Sequence, residues 1–246
     1  MATDTILRLD GIVAGYGRMT VLDGTRLEIA RGTITTMIGP NGAGKSTVLK
    51  AIFGLLAVRA GRIVFDGRDI TNAAPRALLD AGVCYLPQGR NIFPELSVRH
   101  NLELGGVAAE RGFNFAARLD EAMERFPVLA RKADRQASTL SGGEQKILEL
   151  ARGLMLDPRL ILIDEPSIGL SPTIVREIFN ILQQLRDRGV TILMVEQNAR
   201  SALEISDDGV VLELGQVRMQ DRAPTLLRDP RVGQLFLGAT LAESTA

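Results

Sequence analysis

Short apolar runs recur along the chain, with helical patterns between them. Residues 33–38 (TITTMI), 83–86 (VCYL), 160–163 (LILI) and 191–195 (TILMV) are rich in β-branched and aliphatic residues, as expected of strands buried on both faces of a parallel sheet. Between the last two runs, apolar residues recur at helical spacing at Ile174, Ile178, Ile181, Leu182 and Leu185. This order of strand, helix and strand predicts a βαβ unit.

Alternation and turn residues predict antiparallel strands elsewhere. Residues 6–12 and 25–30 indicate two strands near the start of the chain. Residues 62–65, followed by Asp66-Gly67, predict one half of a hairpin, and residues 209–219 predict a hairpin that turns at Gly215-Gln216. We therefore expect an antiparallel β subdomain beside the parallel sheet.

The middle of the chain has a helical character. Between residues 96 and 156, apolar side chains recur at helical spacing, for example at Leu119, Ala122, Met123 and Phe126. We expect a single α/β domain, with a core at about residues 1–90 and 157–246 and an inserted helical subdomain at about 91–156. The fold class is then α/β, with a parallel sheet, an antiparallel β subdomain and a helical insertion.

Composition and charge argue against several classes of protein. The 246 residues carry 29 Lys and Arg against 29 Asp and Glu, which argues against a large basic surface for nucleic acid and against a polybasic membrane anchor. Cys84 is the only cysteine, so no intramolecular disulfide can form, and a reducing compartment is expected. We expect neither a signal peptide nor a membrane span, because the apolar runs are too short.

A phosphate-binding loop follows the 33–38 strand. Residues 39–47 read GPNGAGKST and match G-x-x-x-x-G-K-[ST], with a strand before and a helix after. Glycines let backbone N–H groups wrap a phosphate, and the helix N-terminus adds positive potential. Lys45 supplies charge for the β- and γ-phosphates, and the Ser46 hydroxyl can ligate Mg²⁺. The loop consists of Gly39, Pro40, Asn41, Gly42, Ala43, Gly44, Lys45, Ser46 and Thr47.

Two acids end the apolar strand at residues 160–163. Asp164 can hold Mg²⁺ through water, and Glu165 is placed to polarise an attacking water. By itself an apolar strand that ends in Asp-Glu is common. Downstream of a complete phosphate loop, it predicts a second element of the nucleotide site, which holds Mg²⁺ and polarises a water.

Residues 140–145 (LSGGEQ) distinguish one family among the proteins that have a phosphate-binding loop. With the two motifs above, this signature segment resembles that of an ABC ATPase over nearly the whole chain. Ser141 and the amides of Gly142 and Gly143 precede a helix and would form a second anion site, although simple helix capping is the alternative. The resemblance implies two chains packed head to tail, in which each phosphate loop binds ATP and the partner's signature segment covers the γ-phosphate.

The resemblance implies further site residues. Tyr16 matches the aromatic residue that stacks on adenine, and Gln88 matches the glutamine that approaches Mg²⁺ and the attacking water. Gln197 stands where the family usually has a histidine that bonds the γ-phosphate, and Ser171 stands where an aspartate is usual at the dimer interface. The one histidine, His100, is interpreted as structural or surface. The implied catalytic group is Glu165, Gln88, Gln197 and Lys45, with Ser46, Gln88 and Asp164 at the metal.

Several strings resemble LivF-type ATPases of branched-chain amino acid importers, a family that includes related urea-importer ATPases. They are residues 195–199 (VEQNA), 87–90 (PQGR) together with Ile92-Phe93, 164–172 (DEPSIGLSP) and 235–238 (LFLG). The resemblance implies a second, LivG-like ATPase chain, with a homodimer as the alternative, and two membrane permeases. It also implies an indirect periplasmic binding protein, no nucleic acid, and a peripheral place on the cytoplasmic face of the cell membrane.

Other classes of protein remain open on the sequence. A soluble ABC ATPase that acts on DNA or ribosomes would usually carry long insertions or tandem cassettes, which this chain lacks. A non-hydrolysing ATP-dependent clamp is suggested by the missing histidine, but the retained Glu165 argues against it. A kinase or GTPase has no use for the signature segment, and no N-K-x-D string specifies guanine.

Overall fold

The computed structural model describes residues 4–109 and 113–236, and the side chains of 234–236 are not included in that description. The strands are β1 (Thr5–Tyr16), β2 (Met19–Ala30), β3 (Ile34–Ile38), β4 (Val58–Phe65), β5 (Arg68–Asp69), β6 (Val83–Leu86), β7 (Leu160–Asp164), β8 (Thr191–Val195), β9 (Asp208–Glu213) and β10 (Gln216–Arg222). The helices are α1 (Lys45–Ile52), α2 (Pro75–Asp80), α3 (Val98–Gly105), α4 (Phe115–Arg125), α5 (Pro127–Ala130), α6 (Gly142–Leu154), α7 (Pro172–Asp187), α8 (Ala199–Glu204), α9 (Ala223–Arg228) and α10 (Pro230–Phe236).

The strands form two sheets. A four-stranded antiparallel sheet has the order β2-β1-β4-β5, and a six-stranded sheet has the order β10-β9-β3-β8-β7-β6. In the larger sheet the five strands from β9 to β6 are parallel, and β10 pairs antiparallel to β9 at the edge. The α/β class, the parallel sheet and the antiparallel β strands predicted from the sequence are therefore confirmed.

Packing on both faces explains why the central strands are continuously apolar. Along β7, Leu160 and Leu162 pack in a core shared with the four-stranded sheet. Ile161 and Ile163 point to the opposite face and pack against α7. Because successive side chains of a strand alternate between the two faces, a strand covered on both sides needs an apolar residue at every position.

The register of the parallel strands brings the candidate chemistry to one edge of the sheet. Asp164 at the end of β7 pairs with Val195 at the end of β8, and Met37 near the end of β3 also pairs with Val195. The segments that follow these ends therefore meet at the carboxyl edge, where ligands bind in open α/β sheets.

Among the described residues between β6 and β7, the regular elements are all helical, and one isolated antiparallel bridge joins Ser97 to Gln136. Helices α3 to α6 and a short 3₁₀ turn (Ala137–Thr139) surround a core of their own, which includes Leu102, Leu129, Leu148 and Met155. Residues 110–112 lie outside the described part. The boundaries of the helical subdomain at about residues 91 and 156 stay a prediction.

Three strand boundaries and one turn differ clearly from the sequence prediction. Strand β1 continues to Tyr16, four residues beyond its predicted end, and pairs there with β2. Strand β2 begins at Met19 and β4 begins at Val58, because pairing with β1 extends both strands beyond their alternating parts. The β9–β10 turn lies at Leu214-Gly215, so the prediction of Gly215-Gln216 was wrong by one residue. Both turn residues have positive φ, 48° and 74°, as a two-residue hairpin turn of this hand requires. Gly215 occupies the second position of the turn, and a Cβ there would lie 1.9 Å from the Val21 carbonyl oxygen.

The described helices are all too short or too polar to cross a membrane. Of the string at residues 235–238, positions 237 and 238 lie outside the described residues.

Candidate nucleotide site

The phosphate loop, residues 39–47, connects β3 to α1 at the carboxyl edge of the sheet. Gly42 and Gly44 have φ of 81° and 102°, which other residues rarely adopt. Helix α1 begins after Gly44 without a side-chain cap, so its first N–H groups lack a side-chain acceptor. Such a helix start is suited to bind a phosphate oxygen.

Lys45 is folded back onto the loop. Its Nζ donates to the carbonyl oxygens of Gly39 at 2.8 Å and Pro40 at 3.1 Å. Burial lowers the pKa of Lys45, while the nearby carboxylates of Glu165 and Asp164 act in the opposite direction. The two carbonyl oxygens hold the buried Lys45 ammonium group at the loop. An anionic ligand could accept further hydrogen bonds from this group.

Asp164 and Ser46 supply adjacent oxygen atoms. The Ser46 Oγ donates to Asp164 Oδ1 at 3.0 Å, and the Tyr85 hydroxyl lies 3.4 Å from Oδ2. Burial raises the pKa of Asp164. One carboxylate and one hydroxyl fit Mg²⁺, which is usually held by few protein oxygens together with phosphates and water. The described residues contain no cluster of three or more His, Cys, Asp or Glu that could hold a metal without such help.

Glu165 lies between two glutamines. Gln88 donates through Nε2 to Glu165 Oε2 at 2.7 Å, and Gln197 donates through Nε2 to both carboxylate oxygens at 2.9 Å. The backbone of Glu165 has a φ of 49°, and its N–H donates to the Val195 carbonyl at 2.9 Å. The structure thus brings to Glu165 two residues that lie 77 and 32 positions away from it in the chain.

The signature segment, residues 140–145, starts helix α6. Ser141 is the N-cap: its Oγ accepts from the Glu144 N–H at 3.3 Å, and Glu144 in turn accepts from the Ser141 N–H at 2.9 Å. The capping alternative is therefore realised, but it leaves the Ser141 O–H free to donate to a further acceptor. Ser141 and Gly142 are exposed, and within residues 4–109 and 113–236 no hydrogen bond joins residues 141–143 to the phosphate loop.

Gly143 has a packing requirement of its own. A Cβ at this position would lie 2.7 Å from the side chain of Ile174 on α7. Glycine at position 143 therefore allows the start of α6 to pack closely against α7.

The remaining predicted residues occupy different settings. Tyr16 ends β1 with 45% of its surface exposed, so its ring is free to stack on a planar ligand. Ser171 is the N-cap residue of α7 but makes no side-chain cap. His100 is exposed on α3, and its N–H donates to the N-cap Ser97, which agrees with the surface interpretation.

Glu196 and Tyr85 belong to the site, although the sequence reasoning did not single them out. Glu196 is buried and accepts from Ser167 N and Oγ, both at 2.8 Å, and from Gln197 N at 3.1 Å. Burial raises the pKa of Glu196. It fixes the backbone of Gln197 and the loop after β7. The available signal was an acid placed directly after a buried apolar strand.

Comparison with known families decides what kind of site this is. A family model described as ABC transporter matches residues 22–168. The chain belongs to the ABC transporter ATP-binding family. It is an ATP-binding subunit and an ATPase, as the phosphate loop and signature segment suggested.

Individual relatives of this cassette agree with the family. It is 38% identical over 233 residues to the high-affinity branched-chain amino acid transport ATP-binding protein BraG of Pseudomonas aeruginosa, which covers 95% of the chain and 100% of that relative. It is 38% identical over 234 residues to a probable branched-chain amino acid transport ATP-binding protein LivF of Archaeoglobus fulgidus, covering 95% and 99%. The fold matches an ABC transporter cassette solved in its ADP conformation with a TM-score of 0.85 and 33% identity, covering 96% and 100%.

Proposed function

We propose that this ATPase hydrolyses Mg-ATP with Glu165 as the residue that orients the attacking water. The observation that carries the proposal is the position of the Glu165 carboxylate, which is held by amide donors from Gln88 and Gln197. Two neutral donors fix the direction of the carboxylate without neutralising it, so it can still accept a proton or a hydrogen bond from water.

ATP is proposed to bind along the phosphate loop. The exposed ring of Tyr16 would stack on adenine, and the start of α1 would hold the phosphates. Lys45 would exchange its bonds to the Gly39 and Pro40 carbonyls for phosphate oxygens. Ser46, Asp164 and Gln88 would hold Mg²⁺, and the ion when bound would offset the negative charge of the phosphates.

Each hydrolytic site is proposed to need a second chain. The signature segment exposes Ser141 and Gly142 at the start of a helix and makes no hydrogen bond to its own phosphate loop among the described residues. An exposed helix start that is not bonded to its own phosphate loop suits a γ-phosphate held by a partner's lysine. The native partner is proposed to be a LivG-like ATPase chain, with a homodimer as the alternative.

The transported substrate is proposed to be a branched-chain amino acid. The support is the resemblance of residues 87–90, 164–172 and 195–199 to LivF-type ATPases, together with the names of the two 38% identical relatives. Two permease chains would carry the substrate and anchor this chain to the cytoplasmic face of the cell membrane, and a periplasmic binding protein would deliver it. ATP-driven closure of the dimer would move the permeases.

Two substitutions test the hydrolytic roles. Glu165→Gln keeps the size of the side chain and removes its charge, so we expect ATP binding to persist and turnover to fall at least about 100-fold. Lys45→Ala should instead weaken nucleotide binding, because it removes the charge that meets the phosphates. Phosphate release and binding of a fluorescent ATP analogue separate the two effects.

The same assay distinguishes the clamp alternative. A regulatory clamp would bind ATP and release no phosphate in the parent chain, and Glu165→Gln would then change nothing. Glu124→Gln is a matched control, since Glu124 is exposed on α4, in the helical segment between β6 and β7. If Glu165→Gln hydrolysed saturating Mg-ATP at the parental rate, the role of Glu165 would be excluded.

A further inference from the structure

Asn91 is held at both of its backbone groups by one helix. Its N–H donates to Glu149 Oε1, and its carbonyl oxygen accepts from Arg152 Nη2. Glu149 and Arg152 lie three residues apart on α6 and so share one face of that helix. The segment after β6 is therefore tied to α6 at Asn91.

The side chain of Asn91 reaches back toward Gln88. Its Nδ2 donates to the Pro87 carbonyl at 3.0 Å and lies 3.5 Å from the Gly89 carbonyl. These two carbonyls belong to the residues on either side of Gln88. One amide group thus closes the backbone loop that carries the glutamine bonded to Glu165.

Further contacts hold Glu149 and Arg152, the two residues that attach Asn91 to α6. Glu149 is 3% exposed and also accepts from Lys146 Nζ at 2.8 Å, which fixes its carboxylate. The Arg152 guanidinium lies over the Phe93 ring, 5.5 Å from its centroid. A buried, fully bonded carboxylate and a stacked guanidinium leave Asn91 little freedom to move separately from α6.

We propose that Asn91 is a positioning residue that holds Gln88 against Glu165 and makes this contact depend on the placement of α6. The inference rests on the proposed hydrolytic role of Gln88 and Glu165. Helix α6 begins at the signature segment, about 12 Å of helix from Glu149. A shift at Ser141, where a partner's nucleotide would bind, therefore reaches the chain's own Gln88 through Glu149, Arg152 and Asn91.

A double-mutant cycle tests the connection. Asn91→Ala and Gln88→Ala are each expected to lower the single-turnover rate about tenfold, with ATP affinity within about twofold of the parent. The combined variant should be no slower than Gln88→Ala alone, because Asn91 acts through Gln88. Glu149→Gln should behave in the same way as Asn91→Ala. Asn180→Ala, at an exposed position on α7, is the matched control and should match the parent.

The outcomes separate this inference from the proposed function. A purely structural role for Asn91 would give the same tenfold loss with and without Gln88, which overturns the inference, as would a parental rate in Asn91→Ala. If the alanine variant is unstable, Asn91→Leu keeps nearly the same size and stays neutral while it removes the amide donor, and it is assayed in the same cycle. A parent chain that hydrolyses no ATP overturns the proposed function instead.

Discussion

At the scale of single residues, Asp164 is a site residue whose ionised form is disfavoured by the fold when no ligand is bound. Asp164 is 2% exposed, and its pKa is raised chiefly by burial, although Ser46 and Tyr85 act in the opposite direction through hydrogen bonds. A buried carboxylate next to the phosphate loop weakens the empty chain and becomes favourable when a cation is bound.

Asp164→Asn should therefore stabilise the nucleotide-free chain. We expect a gain on the order of 1 kcal/mol near pH 7, or about 2–4 °C in Tm. The gain should shrink as the pH falls toward the ordinary aspartate pKa of 3.8, because Asp164 then becomes protonated and neutral in both the folded and the unfolded chain. Mg-ATP hydrolysis should be lost. Thermal unfolding between pH 4 and 8 measures the trend.

Asp66→Asn is the control with the opposite sign. Hydrogen bonds from Arg31 and Arg159 lower the pKa of Asp66, so its charge stabilises the fold above the ordinary pKa, and this contribution is lost as the pH falls through the lowered value. Asn also tolerates the positive φ of 49° at this position. If Asp164→Asn were less stable than the parent at pH 7, the interpretation of a buried, destabilising charge would be wrong.

At the level of elements, the sequence predicted the motifs that carry the candidate site residues better than the contacts between elements that hold those residues in place. The phosphate loop, β7 with its two acids, and α6 each combine a local pattern with a local motif, so residues 39–47, 160–165 and 140–145 could be recognised without the fold. Tyr85 and Asn91 could not, and the only local signal for Glu196 was an acid directly after a buried apolar strand. Their partners lie on other elements, up to 79 positions away in the chain, and only strand order and register bring them together.

Helix α6 combines a cap with a proposed anion site, and an isosteric pair of variants separates the two roles. Asn and Asp both replace serine well at an N-cap, so Ser141→Asn and Ser141→Asp should keep the stability of the parent to within about 0.5 kcal/mol, whereas Ser141→Ala should lose about 1 kcal/mol. The aspartate would repel a γ-phosphate, so its hydrolysis should be at least about tenfold slower than that of the asparagine variant.

Chemical unfolding and phosphate release by the same preparations provide both measurements for the Ser141 variants. Equal hydrolysis by Ser141→Asn and Ser141→Asp would leave capping as the only role of Ser141.

At the scale of the whole molecule, the proposed nucleotide site needs a second chain. The phosphate loop, Asp164 and Glu165 lie at the carboxyl edge of the sheet, while the exposed start of α6 makes no hydrogen bond to that loop within the described residues. With equal numbers of acidic and basic residues, net charge does not oppose the approach of a second copy. In the homodimer alternative, two copies in head-to-tail contact would give each phosphate loop a signature segment from the other.

Mixing two inactive variants tests this assembly directly. Lys45→Ala lacks a working phosphate loop and keeps its signature segment, and Ser141→Asp has the reverse defect. A mixed dimer then contains one site in which both parts are intact, so an equimolar mixture should regain up to about a quarter of the parental activity, since about half of the dimers are mixed and each has one of two sites. Regained activity should fall about tenfold per molecule on tenfold dilution below the dimer dissociation constant, because two chains must meet.

Mixing either variant with the Lys45→Ala/Ser141→Asp double variant is the matched control and should restore nothing, because no pairing then completes a site. A mixture no more active than its separate components, together with a parental specific activity that does not change on dilution, would show that each chain hydrolyses ATP alone.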